Sequence, residues 1–215
     1  MPTSRATPVW GVVVPVKRLA VAKSRLASYG DPVRARLALA FAADVVTAAL
    51  ACPVVGRVLV VTDDPLAAEV LSRLGAVVAA DTPDAGLNPA LAHGAEELRS
   101  GLAGDAAVGV VTVSSDLPAL RPADLAAALA TVPPGGRAFV TDADARGTTL
   151  LAAAPGALLS PEYGPGSRLR HLASGAVELA GTAALRRDVD TPGDLQQALR
   201  LGVGRHTAAV VADLG

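Results

Sequence analysis

The chain has 215 residues, 51% of them hydrophobic, a formal net charge of −1 and 2% aromatic residues. That is enough for one sizeable core, and it excludes both a global basic field for nucleic acid and an aromatic platform for stacked bases. The lone cysteine, Cys52, excludes an internal disulfide or a CxxC metal site, and no apolar run reaches the roughly 18 residues of a membrane span.

Met1 to Pro8 read as a short frayed terminus without a signal-peptide pattern, ahead of a single domain over 9–215. Cys52 in its apolar setting reads as buried filler, and a reducing, cytoplasmic location is expected. Trp10 to Val16 is the first strand, followed at once by Lys17, Arg18, Lys23 and Arg25, four cations within nine residues. Asp31-Pro32 opens a helix to about Leu50, with Val33, Leu37, Phe41, Val45 and Ala48 as its apolar stripe. Val58 to Thr62 is a second strand, Asp64-Pro65 starts a second helix that Gly75 ends, and Ala76 to Ala80 is a third strand. A long polar loop, Asp81 to Pro89, leads to a helix from about Ala90 to Arg99.

Val108 to Ser114 is apolar without alternation, as in a strand buried on both faces, and Asp116 falls just past its carboxyl end. Pro122 to Leu129 is helical, Arg137 to Thr141 a strand, Asp142 to Gly147 a turn and Thr148 to Ala153 another strand. An irregular stretch, Ser160 to Ser167, precedes a short helix to His171. Val177 to Leu179 and Leu185 to Val189 read as short strands, and Thr191 caps a last helix to about Leu201 with Asp194 near the capping-box position. This alternation predicts an α/β fold with a mainly parallel sheet flanked by helices, and a β-rich extension in the last third.

Three constellations carry chemistry. The basic segment after the first strand lies where phosphates bind in such folds, but it lacks the glycines of GxxxxGK[ST] and of GxGxxG, so side-chain cations would do the work. A solvated basic face explains the same residues. Asp188 and Asp190 flank Val189, and strand alternation would point both carboxylates one way. With Asp116 they make a three-carboxylate set that suits Mg²⁺ with phosphate ligands. For Asp116 and Asp190, helix-start chemistry is the competing reading. The third is Tyr163-Gly164-Pro165-Gly166-Ser167 ahead of Arg168 and Arg170, where glycines allow close approach of an anion and Ser167 can offer amide and hydroxyl. Thr148 can add a second hydroxyl, and an ordinary surface turn is the alternative. His93, His171 and His206 are scattered and form no nucleophile elbow.

In order along the chain, PVKRLAVAKSRL, VSSDLPAL, GTTLL, YGPGS and RRDVDTPGDL resemble the phosphoenolpyruvate or 2-phospho-L-lactate guanylyltransferase family of deazaflavin coenzyme F-420 biosynthesis, in its actinobacterial branch. The resemblance covers about residues 9 to 205; it departs at Ser115, where Gly or Ala commonly precedes the aspartate. It implies a nucleotidyltransferase fold of the Rossmann-like, glycosyltransferase-A-like kind, and an acceptor acid that attacks the α-phosphate of GTP and releases diphosphate. It further implies that Thr148, Gly164 and Ser167 hold phosphoenolpyruvate, that Asp116, Asp188 and Asp190 hold Mg²⁺, that Lys17 and Lys23 face the triphosphate, and that Asn88 lies near the nucleoside. The catalytic set would be Asp116, Lys17 and Lys23. Its partners would be GTP, a phosphorylated three-carbon acid and a downstream transferase that takes the product, with no nucleic acid or membrane. The other readings are a 2-phospho-L-lactate or 3-phosphoglycerate guanylyltransferase, a sugar-phosphate nucleotidyltransferase, and a non-catalytic nucleotide-binding protein.

Overall fold

The computed structural model describes residues 9–81, 85–102 and 108–214. The expected frayed terminus at 1–8 and the middle of the loop, 82–84, lie outside these residues. Seven strands form one sheet: β1 (Val9–Pro15), β2 (Val55–Val61), β3 (Val77–Ala79), β4 (Val108–Val113), β5 (Arg137–Val140), β6 (Leu150–Ala153) and β7 (Val177–Glu178). Their order is β3-β2-β1-β4-β6-β5-β7. β2, β4 and β7 pair parallel to β1, β1 and β5 respectively, whereas β6 runs antiparallel to both its neighbours, β4 and β5.

Helices α1 (Asp31–Leu50), α2 (Pro65–Arg73), α3 (Leu87–Leu102) and α4 (Pro122–Ala130) connect the first strands. α5 (Ser167–Ala173) joins β6 to β7, and α6 (Ala183–Arg186), α7 (Pro192–Leu201) and α8 (Arg205–Ala212) follow β7. The apolar runs of β1, β2 and β4 are explained by burial on both faces. Val12, Val14, Val58, Val60, Val111 and Val113 pack with α1 residues such as Ala42 and Val46 on one side. Val13, Leu59, Val61 and Val110 meet Leu91 and Leu98 of α3 on the other. With helices on both faces no solvent face remains to enforce a polar alternation.

One expectation changes, and two elements are new. Leu185 to Val189 is not a strand: Ala183–Arg186 is a helical turn capped by the Thr182 side chain on the Leu185 amide, and 187–190 is irregular. Ser24–Tyr29, in the basic segment, is a 3-10 turn, and α8 is a helix that the sequence pattern did not announce.

Candidate active site

β1 is where the chain order reverses, with β2 on one side and β4 on the other. Loops leaving such neighbours diverge to opposite faces and open a crevice at their carboxyl ends. A cleft of about 540 Å³ lies there, lined among others by Lys17, Lys23, Leu87, Ser115, Asp116, Gly164 and Asp190.

The wall after β1 is shaped by a residue the motifs did not mark. Arg34, buried near the start of α1, donates to the carbonyls of Ala20 at 2.7 Å, of Leu19 at 3.4 Å and of Ala22, while Asp31 pairs with it at 3.1 Å. Asp64 completes the frame: Oδ2 accepts the Leu19 amide at 2.8 Å, and Oδ1 caps α2 through the amides of Leu66 and Ala67. A loop without phosphate-loop glycines is thus held by one guanidinium that satisfies three carbonyls. Lys23 ends it in the left-handed region at φ 55°, ψ 44°, a conformation that costs a non-glycine residue about 1 kcal/mol.

That backbone delivers the Lys23 ammonium between two carboxylates. Nζ lies 2.5 Å from Asp116 Oδ2 and 2.7 Å from Asp190 Oδ1, and Arg25 adds a longer pair to Asp190 at 3.7 Å. Burial alone would lower the ammonium's pKa, but Asp116 and Asp190 together outweigh it and the pKa rises. Lys17 lines the same cleft, exposed and without an ion pair to any described residue.

Asp188 stands close enough to this group for its pKa to climb to about 7, through burial first and then the charges of Asp116, Asp190 and Asp142. Asp116 and Asp190 thus meet on Lys23, with Asp188 within electrostatic reach of both, by a route other than strand alternation. Val189 is fully buried among Leu26, Leu37, Phe41 and Leu195, and its amide donates to the Asp116 carbonyl at 3.0 Å. An anchored apolar residue between two aspartates does the work expected of a strand.

As they stand, the described carboxylates surround Lys23 and form no ready-made metal cage. The donor chemistry nevertheless fits a hard divalent cation: Asp116 Oδ1 is buried and accepts no hydrogen bond.

The far wall is the glycine-rich loop. Gly164 lines the cleft at φ +126°, a conformation that a side chain rarely adopts. Asn88, expected near the nucleoside, has both amide ends on the loop backbone: Oδ1 accepts the Tyr163 amide at 2.7 Å and Nδ2 donates to the Tyr163 carbonyl at 3.1 Å. The Tyr163 hydroxyl meets Thr112 Oγ1 of β4 at 2.6 Å. Ser167 spends its amide on the Gly164 carbonyl at 3.0 Å, so of the two groups expected from it only the hydroxyl remains, 3.0 Å from Thr148 Oγ1. Arg168 is paired with Glu178 and Arg170 donates to the carbonyls of Glu162 and Pro165, so both support the loop. Thr148 and Ser167 lie buried behind Gly164 and do not line the cleft directly.

A family model described as "Guanylyl transferase CofC like" matches residues 10–215. The chain belongs to this family. Among CofC-like relatives, one from Thermomonospora curvata named phosphoenolpyruvate guanylyltransferase is 58% identical over 205 residues, covering 94% of this chain and 89% of its own length. One of the same name from Streptomyces coelicolor is 56% identical over 208 residues, covering 95% and 97%. Solved structures share the fold at low identity. One from Desulfovibrio desulfuricans G20, assigned to the nucleotide-diphospho-sugar transferases, aligns with TM-score 0.70 at 17% identity, covering 95% of this chain and 94% of its own. A CMP:2-keto-3-deoxy-manno-octonic acid synthetase complexed with CTP aligns with TM-score 0.55 at 19% identity, covering 90% and 98%. The CofC-like chain is a nucleotidyltransferase, as the resemblance implied, and its sheet has the α/β character that the alternating pattern implied.

Proposed function

We propose that this chain joins phosphoenolpyruvate to the GMP moiety of GTP, releasing diphosphate and forming enolpyruvoyl-diphospho-guanosine, a precursor of coenzyme F-420. The observation that carries the reading is one cleft in which Lys17, Lys23, Asp116, Asp190 and Gly164 meet at the β1/β4 switch, in a chain 58% identical to a relative named for that activity. A phosphorylated acid is ionised at neutral pH and needs no general base, so the protein's task is positioning and charge cancellation.

In this reading Lys17, with no competing ion pair among the described residues, faces the leaving diphosphate. Lys23 is held at the junction of the carboxylates, ready to exchange them for phosphate oxygens. Asp116, Asp188 and Asp190 would hold Mg²⁺, which supplies charge neutralisation between two anionic reactants. Thr148, Gly164 and Ser167 take the acid, the glycine by backbone approach and the hydroxyl pair from behind it. Asn88 acts through the loop that it clasps. The protein works in the cytoplasm and passes its product to a downstream transferase.

The test is diphosphate release and product mass from GTP, ATP or CTP against phosphoenolpyruvate, 2-phospho-L-lactate, 3-phosphoglycerate and a sugar phosphate. The expected pair is GTP with phosphoenolpyruvate. Faster turnover of another pair replaces the substrate assignment, and nucleotide binding without diphosphate release for any acceptor removes the enzymatic reading.

A further inference from the structure

Behind Gly164 three polar side chains are shut away from solvent: Thr148 is 7%, Ser167 1% and His171 0% exposed. The imidazole belongs to none of the motifs above. Its Nε2 accepts the backbone N–H of Glu162 at 3.0 Å, so Nε2 carries no proton. A neutral imidazole holds one proton, which must then sit on Nδ1. Nδ1 is 2.9 Å from Thr148 Oγ1 and therefore donates to it. An imidazolium would set a second N–H against that of Glu162. Burial, then the charges of Arg137 and Arg170, act in the same direction and hold the ring neutral down to about pH 4. The ring cannot turn freely: Tyr163 stands edge-on at 5.4 Å between centroids and Phe139 lies tilted at 5.6 Å.

The hydrogens can be counted. His171 Nδ1, Thr148 and Ser167 own one each. Two hydrogen bonds join the three groups: His171 to Thr148, and Ser167 Oγ to Thr148 Oγ1. Thr148 Oγ1 thus accepts twice, and its own hydrogen meets no acceptor among the described residues. If the hydroxyl pair ran the other way, the Ser167 hydrogen would be the one left over. Either way one buried O–H lacks an acceptor, an unfavourable state that an incoming anionic oxygen relieves.

We infer that His171 is a positioning residue for the acceptor: by fixing its Nδ1–H on Thr148, it makes the Thr148–Ser167 pair a hydrogen-bond donor to an anionic oxygen of the phosphorylated acid. The inference rests on the proposal that Thr148, Gly164 and Ser167 hold that acid. In the opposite tautomer Nδ1 would draw in the Thr148 hydrogen, Ser167 would supply the next, and the pair would turn lone pairs toward an anion. The Glu162 amide thus decides, through one ring, whether this wall attracts or repels the substrate. It can do so because Asn88 clasps the next residue, Tyr163, and holds the strand of loop in place.

Two variants separate this role from simple packing. In His171→Asn the amide can present an N–H near the position of Nδ1–H, whereas His171→Leu fills space and donates nothing. With GTP and phosphoenolpyruvate, His171→Leu is expected to raise KM for the acid about tenfold, with KM for GTP within about twofold, and His171→Asn to recover most of the loss. Long-range ¹H–¹⁵N spectra of the wild-type histidines give an independent readout. One neutral ring protonated at Nδ1 is expected, absent from both variants. An Nε2-protonated ring at this position overturns the inference, as does an equal rise in both KM values or no recovery by His171→Asn. Should the leucine variant not fold, the spectra and the asparagine variant still decide. If the wild type turns over no acid at all, the proposed reaction falls, while the tautomer stands or falls on the spectra alone.

Discussion

Lys17 and Lys23 leave the same strand and have different surroundings, so they should fail differently. Lys17→Met removes an exposed charge without an ion pair among the described residues, and should lower kcat by about 10²-fold with the melting temperature unchanged. Lys23→Met should lower kcat as well, and also destabilise the fold by about 1–3 kcal/mol, because it leaves Asp116 and Asp190 without their shared counter-ion. Asp116→Asn should abolish turnover while the protein still melts cooperatively; near-normal rates in that variant would remove Asp116 from the site. These residues were legible because they sit just beyond predicted strands. Arg34 and His171 were not, since, the nearby Asp31 pair of Arg34 aside, their partners are backbone atoms or hydroxyls 9 to 23 residues away that no local pattern marks. His171 also sets a pH dependence. Its folded pKa of about 4 lies below the ordinary value of 6.5, so the unfolded chain binds the proton first as pH falls. Stability is complete above about pH 6.5 and declines toward pH 4, by about 2 kcal/mol between pH 7 and pH 5. Urea melts of wild type and His171→Asn at those two pH values check this, and the variant should lose less.

Among the elements, α2 and α7, which carry their own caps, were read as helices, and α8, capped from afar, was not. α7 carries its own signal. The Thr191 hydroxyl accepts the Asp194 amide, and the Asp194 carboxylate accepts the amides of Asp190 and Thr191. The start of α8 is satisfied instead by Asp44, buried in α1, whose two oxygens accept the amides of His206 and Thr207 at 3.0 and 2.9 Å. A sequence separation above 160 residues hides that cap. Gly204 belongs to the same arrangement, since a Cβ there would stand 2.3 Å from Asp44 Oδ1. The two caps have different reach. Asp44→Ala should cost about 1–3 kcal/mol in denaturant melts with kcat retained. Thr191→Ala should cost about 1 kcal/mol and also reduce turnover, because the same box fixes the backbone of Asp190. Equal effects of both on turnover would show that Asp190 is not held from α7. The misread strand before α7 is a different case, since its cap is local. Leu185 and Val189 are both buried, as in a strand, but Thr182 caps a helical turn, Ala183–Arg186, that includes Leu185.

At the scale of the whole molecule, the alternation of apolar runs and capped helices revealed the parallel half, β3-β2-β1-β4. Strand order in the other half depends on pairings between distant segments, and the insertion of antiparallel β6 between β4 and β5 left no periodic trace. The two halves bring the two walls of the cleft, the cationic loop after β1 and the glycine loop before α5, against Asp116 at the end of β4. What holds this junction at rest is an ammonium that belongs to the chain. The Lys23 bridge means that the chain supplies its own counter-charge to Asp116 and Asp190. In the proposed reading, with Mg²⁺ held by these carboxylates, folding and metal loading are separate events. Exhaustive dialysis against a chelator should silence turnover and leave the thermal melt within about 2 °C, less than a single lost kcal/mol would shift it, and readdition of Mg²⁺ should restore activity without a refolding step. Unlike small domains that wait for a metal to become structured, a chain built this way can be finished before its ion supply is, and loses only its chemistry when that supply fails.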